Sequence, residues 1–401
     1  MPDIEGSAPV RLRLKKREER RIESGHLWVF SNEVDTTQTP LKGITPGASA
    51  FVESASGKFL GHAYVNPASL ICARITSRNK AQPFTPDVIA DRLHSALALR
   101  TYRYPQPFYR LVHGEGDFLP GLVVDRYGDT LMVQITTAGM ERYREAIVDA
   151  LITITGASAV CLQNNLPVRE LEQLPQYVEW VHGTAQSELH ITENELDFTV
   201  SAELGQKTGW FYDHRDSRQA LRQWVGGRRV LDLYSYGGGF AINAAIAGAE
   251  QVLAVDASEP AISAAQANAK QNGVSDRLQC RCDDAVEAMR SLFSNDERFD
   301  VVVLDPPAFI KRKKDMDAGA RHYALNNRLA MKLLNPGGVL LSASCSQAFS
   351  LQALQKAVIN GVPRGKAGVQ FLYNFQQAPD HPVNAAMPES LYLKGLIARV
   401  P

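Results

Sequence analysis

Hydrophobic and polar positions divide the chain into three stretches with different periods. From Val10 to about Lys80, β-prone runs such as HLWVFSNEV and SAFVES are broken by Gly and Pro. Turn signals between short strands predict a small, mostly β module over residues 1–80. From Ala81 to Ala202 the pattern is mixed. Apolar residues recur at helical spacing across Pro86 to Arg103. GLVVDRYGD, TLMVQIT and AVCLQNN read as strands, RYREAIVDALITI as a helix, and LHITENELDFTV as a hairpin turning across Glu193 to Glu195. Hairpins mixed with helices predict an α+β domain over 81–202. From Glu203 to Pro401 strands and helices alternate. RVLDLYS, QVLAVDAS, RLQCRCDD, FDVVVLDPP and GGVLLSASC are strand-like, and FAINAAIAG and PAISAAQANAKQNG between them are helical. Gly273 closes the second helix as a C-cap. This alternation predicts an α/β domain over 203–401 with a parallel, doubly wound sheet. Such sheets bind ligands at the carboxyl ends of their strands.

Composition narrows the class. A chain of 401 residues exceeds one ordinary core. The five cysteines are too few and too scattered for a disulfide framework. Cys280 and Cys282 join no His/Cys cluster that completes a zinc site, so no metal is expected. No apolar run reaches membrane-spanning length, and the charged N-terminus lacks a secretory core. A cytoplasmic protein with no membrane partner is the expectation. Lys plus Arg equals Asp plus Glu at 43 each, so a nucleic-acid partner must be argued from local patches.

Four features fall at the predicted strand ends. Asp232-Leu-Tyr234-Ser-Tyr-Gly237-Gly238-Gly239 is a strand running into a glycine turn. There a backbone without Cβ atoms lets a ligand approach closely. The dinucleotide spacing G-x-G-x-x-G is absent, because residue 242 is Ile. Asp256 ends the next strand, where a carboxylate accepts hydrogen bonds from ribose hydroxyls. Asp283 and Asp284 end the third, and one of them suits an adenine amino group. Asp305-Pro306-Pro307 follows the fourth. Four acids in register at successive strand ends favour S-adenosylmethionine over a dinucleotide. Upstream, Lys207-Thr-Gly-Trp-Phe211-Tyr-Asp-His-Arg215 mixes aromatic, charged and Gly residues. It is expected to fold over the cofactor, with Lys207 and Phe211 as contacts.

The reacting end is read from two loops. D-P-P is a rigid turn whose remaining polar groups point in fixed directions. Asp305 suits the edge of a base and Phe309 its face. Cys345, in Ser342-Ala-Ser-Cys345-Ser346, ends the fifth strand, expected beside the Asp305 loop. Carbon-5 of cytosine is a poor nucleophile until a thiolate adds to carbon-6. A cysteine here meets that need, and Asp305 would assist at N3 or the amino group. A buried structural cysteine is the competing reading. The basic run Lys311-Arg312-Lys313-Lys314, with Arg321, is a candidate phosphate contact, as is the opening stretch from Arg11 to Arg21.

These motifs together resemble the bacterial 23S rRNA large-subunit methyltransferase I family, which forms 5-methylcytosine. The matching stretches are HLWVFSNEV, GDFLPGLVVDRYGD, KTGWFYDHRDSR, VLDLYSYGGGF, FDVVVLDPPAF, SASCS, DHPV and LYLKGL. The resemblance implies an N-terminal PUA domain contacting RNA, a middle α+β domain and a C-terminal Rossmann-like class I domain. It implies S-adenosylmethionine as cofactor and 23S rRNA as partner, and it leaves the oligomeric state open, with a homodimer as the candidate because PUA-type relatives often pair. It makes Cys345 the nucleophile and puts Asp232, Asp256, Asp283 or Asp284, and Asp305 in the site. Departures exist: Gly237 replaces a usual Thr, Ala308 replaces a usual Lys, and the D-P-P motif holds no second cysteine. The base that removes the C5 proton is thus unassigned. Methylation at guanine N7 or an exocyclic amine remains open, as does a non-catalytic RNA-binding assembly factor.

Overall fold

A computed structural model describes residues 8–202, 208–365 and 368–401. The chain forms two compact units, Met1–Gln186 with Asp380–Ser390, and Ser187–Pro379 with Leu391–Pro401.

The first unit holds two five-stranded sheets. One comprises β1 (Val10–Arg13), β2 (Trp28–Phe30), β3 (Ala48–Glu53), β4 (Phe59–Val65) and β5 (Ile71–Ser77), in the order β1-β3-β4-β5-β2. The short helix α1 (Glu19–Glu23) follows β1. Leu12, Val29, Val52 and Ile75 form its core. Part of the basic opening is already neutralised here. Glu53 receives Arg11 at 2.7 Å and Arg13 at 2.9 Å, and Glu33 receives Arg21 at 2.7 Å. Lys16, Arg17 and Arg20 remain exposed.

Helix α2 (Pro86–Arg103) begins where Thr85 accepts a hydrogen bond from the Val88 amide and Pro86 fills the first turn. It leads to a sheet of β6 (Phe108–His113), β7 (Leu122–Tyr127), β8 (Thr130–Ile135), β9 (Ala159–Gln163) and β10 (Val178–His182), in sequential order. Helices α3 (Ala138–Glu141), α4 (Arg144–Thr155) and α5 (Pro167–Leu171) complete it.

The hairpin β11 (Glu188–Glu193) and β12 (Leu196–Ser201) belongs to the second unit, so the boundary expected at 202 moves to 186. Asn194 and Glu195 turn it with φ of 55° and 65°, as tight hairpins require. Its apolar face, Leu189, Ile191, Phe198 and Val200, is buried. Phe198 packs 4.6 Å from Trp210. Local alternation defines a hairpin but not the body that its apolar face joins.

The main sheet comprises β13 (Arg229–Leu233), β14 (Gln251–Asp256), β15 (Leu278–Cys282), β16 (Phe299–Leu304), β17 (Leu334–Ser344), β18 (Gln370–Gln376) and β19 (Lys394–Val400). Their order is β15-β14-β13-β16-β17-β19-β18. The first five are mutually parallel, and β19 runs antiparallel between β17 and β18. Helices α6 (Arg215–Leu221), α7 (Gly239–Ile246), α8 (Glu259–Gln271), α9 (Ala285–Ser294), α10 (Met316–Leu333) and α11 (Leu351–Gly361) accompany it. Val301 to Leu304 are fully buried, as expected for a central parallel strand covered on both faces. The five expected strands are present. The sequence pattern did not distinguish β18 and β19. Among the described residues, no helix is long and apolar enough to cross a membrane.

Candidate active site

The carboxyl ends of β13, β14, β16 and β17 open on one cavity of about 520 Å³ within the second unit. Its walls include Phe211, Tyr234, Gly239, Asp256, Asp284, Asp305 and Cys345. Lys207 lies outside the described residues. Asp232, Gly237 and Asp283 are not on the wall.

Asp232 stands behind the glycine turn. It is fully buried, and its Oδ2 accepts the Ala241 amide at 2.9 Å, fixing the first turn of α7. Burial pushes its carboxyl up to about 8, and the nearby Asp305 and Asp256 carboxylates push the same way. The turn itself is strained, since Tyr234 and Tyr236 hold φ of 63° and 48°. Tyr234 is anchored by its hydroxyl on Asn326 Oδ1 at 2.7 Å, and Tyr236 by its hydroxyl on the Gly209 carbonyl at 2.9 Å. Gly238 caps α7 at φ 82°, where a Cβ would be strained. At Gly239 a Cβ would stand 2.7 Å from Arg218 Nε, so glycine admits that guanidinium. Asn268 ties the parts together, donating to the Gly237 carbonyl at 3.1 Å and accepting the Thr199 amide of β12 at 2.8 Å.

Asp256 accepts the Tyr236 amide and the Ser258 amide, each at 2.9 Å. Asp284 caps α9, accepting the amides of Val286 and Glu287 at 2.9 and 3.0 Å, and faces the cavity. Asp283 instead pairs with Arg281. Of the two acids left open by sequence, only Asp284 lines the cavity.

Asp305 follows β16, and its Oδ2 lies 3.1 Å from His214 Nε2. His214 is buried, with Nδ1 2.9 Å from Ser217 Oγ. Phe309 departs from expectation. It packs against Tyr323 at 4.9 Å and His322 at 5.6 Å and is not on the cavity wall. The apolar ring is drawn into the α10 packing, leaving Pro306, Pro307 and Ala308 on the wall.

Cys345 is half-buried at the end of β17, the sheet neighbour of β16. Its flanking serines point to Tyr323 of α10. Ser344 Oγ donates to the Tyr323 hydroxyl at 2.7 Å, and Ser346 Oγ lies 2.9 Å from it. Ser346 Oγ also accepts the Ile310 amide at 3.1 Å, joining the Cys345 turn to the D-P-P loop. Burial pushes the Cys72 thiol up to about 12 and those of Cys161 and Cys280 to about 11. Buried, raised thiols are inert.

Sequence reasoning missed Arg218, Ser235 and Lys394, and read Asp213 and His214 only as parts of a covering stretch. Asp213 accepts a short hydrogen bond from the Tyr392 hydroxyl. Arg218 Nε, Asp232 Oδ1 and Ser235 Oγ are buried with no partner among the described residues. Such orphaned atoms beside a cavity fit a polar ligand.

A family model of S-adenosylmethionine-dependent methyltransferases matches residues 109–394, and one of PUA-like domains matches 12–78. The chain has the fold of a methyltransferase crystallised with SAH (TM-score 0.84, 21% identity, 98% of this chain and 100% of that one). A similar match is a methyltransferase structure from Streptococcus mutans (TM-score 0.83, 21% identity, 98% and 100%). These matches define a Rossmann-like methyltransferase that uses S-adenosylmethionine. The ribosomal RNA large subunit methyltransferase I of Erwinia tasmaniensis is 37% identical over 98% of this chain and 99% of its own length. That of Citrobacter koseri is 36% identical over 98% and 99%. The chain belongs to the ribosomal RNA large subunit methyltransferase I family.

Proposed function

We propose that this protein methylates carbon-5 of a cytosine in 23S rRNA, with Cys345 as nucleophile. The observation that carries the reading is Cys345 sharing one cavity with Asp305, Asp256 and Asp284. A cysteine at the mouth of a methyl-donor site is needed for an unactivated pyrimidine carbon and for no lone-pair acceptor.

Bound S-adenosylmethionine supplies an electrophilic methyl group. Asp256 would hold its ribose hydroxyls and Asp284 its adenine edge, with Phe211, Tyr234 and Gly239 completing the wall. Asp232 and Gly237 act from behind by shaping the turn. The Cys345 thiolate adds to C6 of the cytosine, raising electron density at C5. Asp305, oriented by His214, hydrogen-bonds either N3 or the amino group as charge develops there. Once C5 carries the methyl group, its proton leaves to water, the C–H electron pair re-forms the C5=C6 bond, and the C6–S bond breaks to release the thiolate. Exposed Lys311, Arg312, Lys314 and Arg321 supply phosphate contacts beside the D-P-P loop, and the PUA-like domain adds RNA contacts elsewhere.

The test incubates the protein with labelled cofactor and unmodified 23S rRNA beside Cys345→Ala, followed by nucleoside analysis. Label is expected in 5-methylcytosine, reduced at least about a thousandfold in the variant while cofactor binding persists. Label in 7-methylguanosine or an N-methylated base, untouched by the substitution, overturns the covalent mechanism.

A further inference from the structure

Lys394 starts β19 directly opposite Ser344, in antiparallel register with β17. Its Nζ donates to the Ser346 carbonyl at 2.6 Å. Lys394 therefore meets both residues that flank Cys345, Ser344 through the backbone register and Ser346 through the ammonium. Lys394 is only 5% exposed, and the strand that it begins continues as buried Gly395, Leu396, Ile397 and Ala398. A lysine in such a place is costly unless an anion answers it. No carboxylate among the described residues lies within ion-pairing distance of it. The ionisable group that acts on it is Cys345.

We propose that Lys394 is the counter-cation that holds Cys345 as a thiolate, a positioning residue acting through the nucleophile. The inference rests on the reading of Cys345 as nucleophile, although its test does not use RNA. The thiol proton leaves to solvent, and the negative charge on Sγ is balanced by the ammonium next to it. The other groups around the turn are of a different kind. Tyr323 of α10 is bound to both serines, and burial keeps its phenol protonated. Asp305, from the loop after β16, lies against His214 and supplies no cation to the turn. Arg218, on the same cavity wall, is already paired with Glu193 at 2.6 Å, so the cation left for the Cys345 turn is Lys394 of β19. Burial pushes Lys394 down to about 8, and Cys345 resists that shift. Lysine is charged below its pKa, so the support for the thiolate is present below about 8 and fades above it.

The experiment follows iodoacetamide alkylation of the full chain, quantified at the Cys345 peptide by mass spectrometry across pH. Wild type is compared with Lys394→Gln, which keeps a donor for the Ser346 carbonyl but no charge, and with Lys394→Arg. At neutral pH, Cys345 in Lys394→Gln is expected to react about tenfold more slowly, with its midpoint shifted upward. Lys394→Arg should stay close to wild type. The exposed Cys282 reports on folding and should react alike in all three. Should Lys394→Gln alter Cys282 or the melting transition, Lys394→Met carries the same comparison. Equal rates and midpoints at Cys345 in wild type and the uncharged variant overturn the inference. A shift at Cys345 combined with full methyl transfer by Cys345→Ala leaves the ion pair standing and removes the proposed reaction.

Discussion

In the N-terminal unit, buried acids meet cations. Asp117 takes Arg100 at 2.6 Å, Asp125 takes Arg110 at 2.7 Å, and Glu172 takes Arg74 at 3.0 Å. Glu141 takes the buried Arg169 at 2.8 Å. At the strand ends of the C-terminal unit, the acids meet mostly backbone amides. Asp232 holds one amide and, among the described residues, leaves its other oxygen without a partner, while Asp256 and Asp284 hold two amides each. Among the described residues, the ion-pair partner of Asp305 is a histidine. Buried Glu193, which pairs with Arg218 at 2.6 Å, follows the N-terminal pattern, as does the half-buried Asp283 with Arg281. The contrast teaches where to look for ligands. A fully answered acid fastens the fold, whereas a strand-end acid answered only by amides keeps acceptor capacity for something bound.

Breaking the fastened side should give the largest effect. Arg100→Ala strips Asp117 of its cation and removes a hydrogen bond to the Asp380 carbonyl at 2.7 Å. A loss of about 3–5 kcal/mol in chemical denaturation is expected. An unchanged transition would remove the contrast on this side.

Asp232→Asn sharpens the other side. The folded carboxyl sits near 8 against an ordinary 3.8, so the folded state binds a proton that the unfolded state releases between those values. Its stabilising contribution is complete at low pH and is lost as pH rises through about 8. Asparagine does not titrate. The cofactor-free variant should therefore gain on wild type as pH rises, by on the order of 3 kcal/mol or less. Parallel pH profiles in thermal melts would mean that Asp232 is already ionised at low cost.

The smallest effect separates two neighbours. Asp284→Asn retains a helix cap but loses charge, and should weaken cofactor binding about tenfold by calorimetry. Asp283→Asn, already turned to Arg281, should change it less than about twofold. Equal losses would show that exposure to the cavity is not what distinguishes them.

Much of the C-terminal fold was legible because its strands are short apolar runs ending in an acid or a glycine turn. Asp256, Asp305 and Cys345 were readable as a set because parallel strands deliver their ends to one edge. β18 and β19 were not, since Gln370 to Asn374 are exposed and carry no alternating pattern. The basic opening looked like one patch until Glu53 and Glu33 were seen to occupy three of its arginines.

By itself, then, the sequence determined the strand–helix alternation, the glycine turn and the acids at the strand ends, because these depend on neighbours a few residues apart. Tertiary structure alone decided that Asp284 rather than Asp283 faces the cavity and that Phe309 turns inward. It also set His214 against Asp305 and brought Lys394 to the Ser346 carbonyl beside Cys345. Each of these depends on which distant segments pack together, and that follows from the pairing of whole strands rather than from any local pattern.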